Sequence, residues 1–307
     1  MNFDENLKIM VAIPCFNEAA TIAKVVNDFQ RVLPQASICV FDNNSSDASG
    51  ELAQKAGACV YHVFSQGKGN VMREIFDRFA ADVLLVVDGD DTYFAADAPL
   101  LLKSLVDGKK DMVFGNRLKK AGKGAFKKVN LIGNHIIAAA INLLFGTKHK
   151  DILSGYRVFS RRFVKSVALL NAGFETEVEL TLRALAEKLA VAEVPVAYQA
   201  RPTGTQSKLS WFRDGFKIMV ATLMIMRDSN PFRLYGWISF LCFIFAAVAA
   251  LLRLLNYFEA TTLPNTFLVG LILIFAPIGV ITFAIALILS AINVRFAEIK
   301  QVIRRNK

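Results

Sequence analysis

Short apolar runs alternate with amphipathic stretches over about the first hundred residues. Lys8 to Pro14 (KIMVAIP) reads as a strand. Ile22, Val25, Val26, Phe29 and Leu33 then recur at the interval of a helix with one buried face. Ile38 to Phe41 is a second strand, ending at Asp42. Ser46 to Ala56 reads as a helix with Ser45 or Ser46 as its N-cap. Cys59 to Val63 is a third strand, Val71 to Phe79 a helix, Val83 to Val87 (VLLVV) a strand buried on both faces, and Met112 to Phe114 a further strand. This rhythm predicts an α/β domain built on a mainly parallel sheet with helices on both faces. The polar side chains Asn17, Glu18, Asp42, Asp88 and Asp90 all follow strand ends. In an open α/β sheet that edge is where ligands bind.

The last eighty or so residues have another pattern. No charge interrupts Leu234 to Leu252 or Ala260 to Val294, and each run is long enough beside the roughly 20 apolar residues a spanning helix needs. Arg227 and Arg233 precede the first run, and Arg295, Lys300, Arg304, Arg305 and Lys307 follow the second. Positive flanks on both outer ends predict a transmembrane hairpin with its termini in the cytoplasm. Arg253, near the far end of the first run, is placed to snorkel to the interface. The expected organisation is a catalytic domain over 1–208, an amphipathic juxtamembrane helix over 209–230, and two spans (about 234–255 and 264–293) with a basic tail within 231–307. Leu209, Phe212, Phe216, Met219, Leu223 and Met226 carry the amphipathic spacing. Val129 to Phe145, ended by Gly146, is apolar but too short to span, and fits either an in-plane membrane helix or a core helix.

Composition agrees with this division. Hydrophobic residues make up 54% of the 307 and mean hydropathy is +0.40, too apolar for an ordinary soluble enzyme. The formal charge of +10 suits anionic lipid or phosphorylated substrates. Six basic residues between Arg117 and Lys128 (NRLKKAGKGAFKK) read as a loop near anionic headgroups. Without interleaved aromatic residues that patch does not read as a nucleic-acid site. Cys15, Cys39, Cys59 and Cys242 lack metal-ligand spacing and read as small buried hydrophobes in a reducing compartment. The segment MNFDENLK lacks the apolar core of a signal peptide, so the catalytic part is expected in the cytoplasm.

The chemistry concentrates at Asp88–Gly89–Asp90–Asp91–Thr92, directly after the buried strand. Carboxylates crowded on a strand tip repel one another unless a cation joins them, and hard oxygen donors suit Mg²⁺ or Mn²⁺. A solvated acidic turn is the alternative. IPCFNE (Ile13 to Glu18), FDNNSSD (Phe41 to Asp47) and QGKGN (Gln66 to Asn70) follow the first three strands. With these blocks the chain resembles the family 2 glycosyltransferases, specifically the dolichyl- and polyprenyl-phosphate sugar transferases. The resemblance continues through Gly115–Asn116–Arg117 and Asp151 to Arg157, and ends in Arg201 to Leu209 (RPTGTQSKL).

That resemblance implies a GT-A, Rossmann-like domain and a set of roles. Pro14, Asn17, Glu18, Asp42, Lys68 and Asp88 would bind the donor nucleotide, and Asp88 and Asp90 the metal, Mg²⁺ or Mn²⁺. Arg117, Arg201, Ser207 and Lys208 would bind the acceptor phosphate. Asp90 and Asp151 would be catalytic, Asp151 by orienting the acceptor or taking a residual proton. In the dolichyl-phosphate mannose branch a glutamine follows two residues after the second Asp; here that position is Thr92. The implied reaction is inverting transfer of a sugar from a UDP- or GDP-sugar to polyprenyl phosphate, for cell-envelope glycan or protein glycosylation. The implied partners are the two substrates and the bilayer of the inner membrane, with a homo-oligomer left open. A polysaccharide synthase would bring QxxRW, which is absent. A non-catalytic nucleotide-sugar-binding module would not need the RPTGTQSKL segment. Glu175, Glu177 and Glu179 fit either a pocket lining or a solvated helix start. Arg157 is expected at a phosphate or beside an acid, and His62, His135 and His149 show no ligand spacing.

Overall fold

The computed structural model describes residues 7–122, 126, 128–169, 176–201, 211–257 and 264–305. The chain forms two compact units, Met1–Thr222 and Leu223–Lys307.

In the first unit the elements run β1 (Ile9–Cys15), α1 (Ile22–Val32), β2 (Ser37–Asp42), α2 (Ser49–Lys55), β3 (Cys59–His62), α3 (Lys68–Arg78) and β4 (Val83–Val86). They continue with α4 (Ala98–Val106), β5 (Met112–Ala121), α5 (Lys128–Phe145), β6 (Arg157–Ser160), α6 (Arg161–Ser166), α7 (Thr176–Ala186) and β7 (Val191–Tyr198). The seven strands make one sheet in the order β3-β2-β1-β4-β6-β5-β7. β1 to β4 are parallel, β6 is antiparallel to both neighbours, and β5 pairs parallel with β7. The sheet is therefore mainly parallel, with β6 alone reversed.

Both faces are covered, which is why the strands read as unbroken apolar runs. Alternation along β1 sends Ile9, Val11 and Ile13 to a core shared with Ile22, Val25 and Phe29 of α1, and Leu101 and Leu105 of α4. Met10 and Ala12 face the other core, with Met72 and Ile75 of α3, Phe163 of α6 and Leu180 of α7. The strand order reverses between β1 and β4, opening a crevice at their carboxyl ends.

Some sequence expectations shift. α2 begins at Ser49, so neither Ser45 nor Ser46 caps it; Ser45 Oγ instead accepts the Asn17 amide at 2.9 Å. Cys59 is exposed because β3 is an edge strand, whereas Cys15, Cys39 and Cys242 are buried. α5 is divided rather than wholly core: Asn134, Ala138 and Ile141 are buried while Ile132, Ile136 and Leu143 are exposed. Gly146 ends it with a φ of 70°, a left-handed conformation that suits glycine.

α8 (Trp211–Ser229) carries the boundary between the units. In the second unit α9 (Pro231–Tyr257) and α10 (Asn265–Arg305) pack together. Pro231–Asn256 and Asn265–Phe296 are long and apolar enough to cross a membrane, with mean hydropathy of 2.5 and 2.8 over their most apolar stretches. Close approach comes at Gly279, where a Cβ would lie 3.2 Å from the Phe243 ring, and Ser239 Oγ donates to the Gly279 carbonyl at 2.8 Å. A small residue and an interhelical hydrogen bond are the contacts that favour helix pairing in lipid.

Candidate active site

The carboxyl edge of the sheet is organised by side chains that bond to backbone. Asn17 turns the chain after β1 with a φ of 54°, and its Oδ1 accepts the Ser46 amide at 2.8 Å. The Glu18 amide donates to Ser49 Oγ at 2.8 Å, tying this turn to α2. Asp42, 5% exposed, ends β2 with His62 Nδ1 at 3.3 Å from its Oδ2. Buried Asn43 donates to the Val63 and Ser65 carbonyls and accepts the Gly67 amide at 2.8 Å. It thereby fixes the turn that delivers Lys68. A cavity of about 230 Å³ opens beside Asp42, lined also by Ser45, Asp47, His62 and Phe64.

Asp88 and Asp90 extend from the tip of β4 into a field of cations. Lys68 Nζ lies 2.6 Å from Asp88 Oδ1 and 2.5 Å from Glu177 Oε1. Arg201 contacts Asp90 Oδ2 at 2.6 Å, while the Thr92 hydroxyl and amide donate to Asp90 Oδ1 at 2.6 and 3.2 Å. Burial acts against every one of these charges. For Lys68 the attraction of Asp88 and Glu177 outweighs burial and its pKa stands above that of an ordinary lysine. Burial raises Asp88, but Lys68 overrides it and the carboxylate ends below its usual range. Asp90 remains above its usual range, because burial and the charge of Asp88 exceed the help from Arg201 and Thr92. Gly155 makes room for this arrangement: a Cβ there would sit 2.9 Å from Asp88 Cγ.

On β5, the pairing with β7 slips: residues 116 to 120 span the same stretch as residues 195 to 197. Such a bulge re-aims side chains, and here Arg117 meets Asp151. The Arg117 amide and Nε donate to Asp151 Oδ2 at 2.9 and 2.8 Å, and Nη2 donates to Oδ1 at 2.7 Å. The guanidinium lies against Phe126 and Tyr198, each centroid 5.2 Å away, and the two rings stack on each other at 5.0 Å. Asp151 is fully buried. Its turn is clamped by Glu193, which accepts the Lys150 and Asp151 amides, and by Asn134, which donates to the Lys150 carbonyl.

Pro14, Asn17, Glu18, Asp42, Lys68, Asp88, Asp90, Arg117, Asp151 and Arg201 thus share one edge of the first unit. Ser207, Lys208 and Glu175 lie outside the described residues. With both Asp151 oxygens held by Arg117, the geometry suits a guanidinium anchor better than a base open to substrate. Arg157 forms no ion pair with an acid among the described residues. It is buried, donates to the Ser154 and Ile152 carbonyls and to Thr181 Oγ1, and lies over Phe114, a structural placement. Glu177 and Glu179 are buried rather than on a solvated helix start, Glu179 pairing with Arg183 at 2.7 Å. Asn43 lies inside a recognised block without a role having been assigned to it, whereas Glu193, Tyr198 and Tyr93, whose hydroxyl accepts the Gly155 amide at 2.9 Å, gave no motif signal. Only their position beside the recognised blocks hinted at a role.

Asp88 and Asp90 could hold a divalent cation. Among the described residues no three His, Cys, Asp or Glu side chains converge on one point. The protein offers two carboxylates, one of them with its pKa raised by burial and then by the other's charge. That donor set fits a hard ion that keeps water and takes its remaining ligands from substrate phosphate, and it does not suit zinc.

The family model described as glycosyl transferase family 2 matches residues 10–168. Glycosyltransferase AglJ of Haloferax volcanii is 36% identical over 76% of this chain and 76% of its own. The dolichyl-phosphate hexose transferase of the same organism is 29% identical over 68% of this chain and 90% of its own. Among solved structures, glucosyl-3-phosphoglycerate synthase from Mycobacterium tuberculosis, in complex with Mn²⁺, UDP and glucosyl-3-phosphoglycerate, superposes with a TM-score of 0.61. It is 20% identical and covers 72% of this chain and 80% of that one, a likeness of fold.

Proposed function

Because this chain belongs to glycosyl transferase family 2, we propose that it transfers a sugar, with inversion, from a nucleotide-sugar to a polyprenyl phosphate. The observation that carries the reading is the gathering of three ion pairs, Lys68–Asp88, Asp90–Arg201 and Arg117–Asp151, with Arg117 and Arg201 both near enough to lower the pKa of Asp88 against the effect of its burial. The relative named for a dolichyl-phosphate acceptor and the two apolar helices support a lipid substrate. The basic ends of those helices support a cytoplasmic catalytic unit on the inner membrane.

In this reading the cavity at Asp42, with Pro14, Asn17 and Glu18, receives the nucleoside. Asp88 and Asp90 hold Mg²⁺ or Mn²⁺, which when bound neutralises the departing diphosphate. Lys68 lies beside that diphosphate as a point charge. Arg201 presents its guanidinium to the acceptor phosphate, with Ser207 and Lys208, while Arg117, its Nε and Nη2 held by Asp151, offers its remaining Nη1 edge. A phosphate monoester is largely ionised near neutrality, its second pKa being about 6. Its oxygen attacks the anomeric carbon as the bond from that carbon to the diphosphate breaks. Asp151 then serves by holding Arg117 in line, and no strong base is needed.

The test is incubation of the full chain, in detergent or nanodiscs, with radiolabelled UDP- and GDP-sugars and polyprenyl phosphate. Label should enter the organic phase, require a divalent cation and vanish in Asp88→Asn. Label that stays in water with every donor, or transfer that survives chelation, overturns the proposal.

A further inference from the structure

Lys68 stands between two carboxylates where one would neutralise it. Asp88 and Glu177 approach its Nζ at 2.6 and 2.5 Å, and the side chains of Lys68, Asp88 and Glu177 are only 15%, 26% and 10% exposed. Lys68 opens α3 and Glu177 lies in the first turn of α7, so two helices on one face of the sheet converge on a single ammonium. The space beside them is walled by Met72, Val86, Phe159 and Leu180, with Gly155, Thr176 and buried Arg157 completing the lining, and Glu177 is the one carboxylate in that wall. A buried ammonium left without a carboxylate is strongly unfavourable. A second buried acid is equally so unless something needs it, since it adds repulsion toward Asp88.

Exchange supplies the need. If Asp88 is to turn its oxygens to a divalent cation, as the donor reading above requires, Lys68 must give up its 2.6 Å contact. Without another seat the ammonium would compete with the cation for the same oxygens. We propose that Glu177 is that second seat: a positioning residue that retains Lys68 when Asp88 is engaged and so sets how readily the cation binds. It touches neither substrate nor cation, and it acts through Lys68.

The experiment measures Mn²⁺ binding to the full chain by the electron paramagnetic resonance signal of free Mn²⁺, with saturating UDP or GDP in separate arms. Glu177→Gln keeps the shape of the side chain and removes its charge. It should weaken Mn²⁺ binding at least tenfold where Lys68 is present, and change it less than twofold in a Lys68→Met background. Weakening by the same factor in both backgrounds would mean that Glu177 acts only through its own field, and the inference fails. A Glu177→Gln affinity within twofold of the parent also overturns it. Should the parent bind no Mn²⁺ in either arm, the donor reading falls and takes this inference with it. Circular dichroism of each variant separates these outcomes from loss of fold.

Discussion

Replacing Asp151 by asparagine separates an anchor from a base. The carboxylate is fully buried and receives three hydrogen bonds from Arg117, whose side chain is itself only 12% exposed. Asparagine offers one acceptor oxygen, and its amide group would point donors at a guanidinium. Converting one oxygen to NH₂ removes either the Nη2 bond at Oδ1 or the Nε and backbone-amide bonds at Oδ2, which at about 1.5–3 kcal/mol for each hydrogen bond to a charged group amounts to a few kcal/mol. Breaking a buried pair while leaving one charge behind gives a similar figure, about 3–5 kcal/mol. Urea unfolding of the full chain in detergent, followed by far-ultraviolet circular dichroism, should show that loss in Asp151→Asn. The apparent KM for polyprenyl phosphate should rise with it as the Arg117 fork loosens. In a double-mutant cycle with Arg117→Met the two changes should couple by about 3 kcal/mol. An Asp151→Asn variant within about 1 kcal/mol of the parent in stability, yet without turnover, would refute the anchor argument and restore Asp151 as a base.

Gly155→Ala places a Cβ 2.9 Å from Asp88 Cγ, so the carboxylate must swing. Overpacking of this kind costs about 1–3 kcal/mol, and Mn²⁺ binding should fall at least tenfold in the same titration. Asp90 is held above its usual pKa by burial and by Asp88, so its charged form opposes folding at neutral pH. Asp90→Asn should therefore keep or raise the melting temperature while transfer falls by about 100-fold or more; a clear drop in melting temperature would contradict the charge argument. For Lys68 and Asp88, burial acts first and mutual attraction wins, raising the lysine and lowering the acid. Asp88 thus contributes stability that is present above its unfolded pKa of about 3.9 and lost as pH falls through the folded value. Lys68 contributes stability present below about 10.4 and lost only as pH rises through its folded value. Lys68→Met should make the acid limb of a urea-midpoint profile shallower below about pH 4; an unchanged limb would count against the pairing.

How far the sequence reached depends on what each residue answers to. Strands buried on both faces announce themselves as apolar runs, so β1, β2 and β4 were legible to within a residue or two. β6, only Arg157 to Ser160, carries an arginine and a serine and has no periodicity to show. Its reversed direction depends on pairing with β4 and β5, which no local window contains. The charged residues were legible as chemistry but not as partners. Arg117 and Asp151 are separated by 34 residues, and the bulge on β5 that joins them is a property of two strands together. Glu177 is the sharpest case. A helix-start glutamate next to threonine looks solvated until Lys68, more than a hundred residues earlier, is seen beside it.

The ion pairs of the crevice are not equivalent, and the difference bears on which side chains can act on substrate. Arg117 and Asp151 share three hydrogen bonds around a carboxylate with no exposed surface, whereas Lys68 and Asp88 share one contact around a carboxylate 26% exposed. Arg201 resembles the second kind in its exposure: its side chain is 32% exposed where Nη2 meets Asp90 Oδ2 at 2.6 Å. An incoming phosphate competes well with a partly hydrated contact and poorly with a buried fork. Lys68 and Arg201 are then the cations able to exchange partners during a turnover, and Arg117 is the one that keeps its own. Exchange at Arg201 releases the carboxylate of Asp90, and exchange at Lys68 releases that of Asp88. If the diphosphate draws Lys68 and the acceptor phosphate draws Arg201, the carboxylates proposed to hold the cation come free as the two substrates arrive, which would make substrate and metal binding mutually reinforcing.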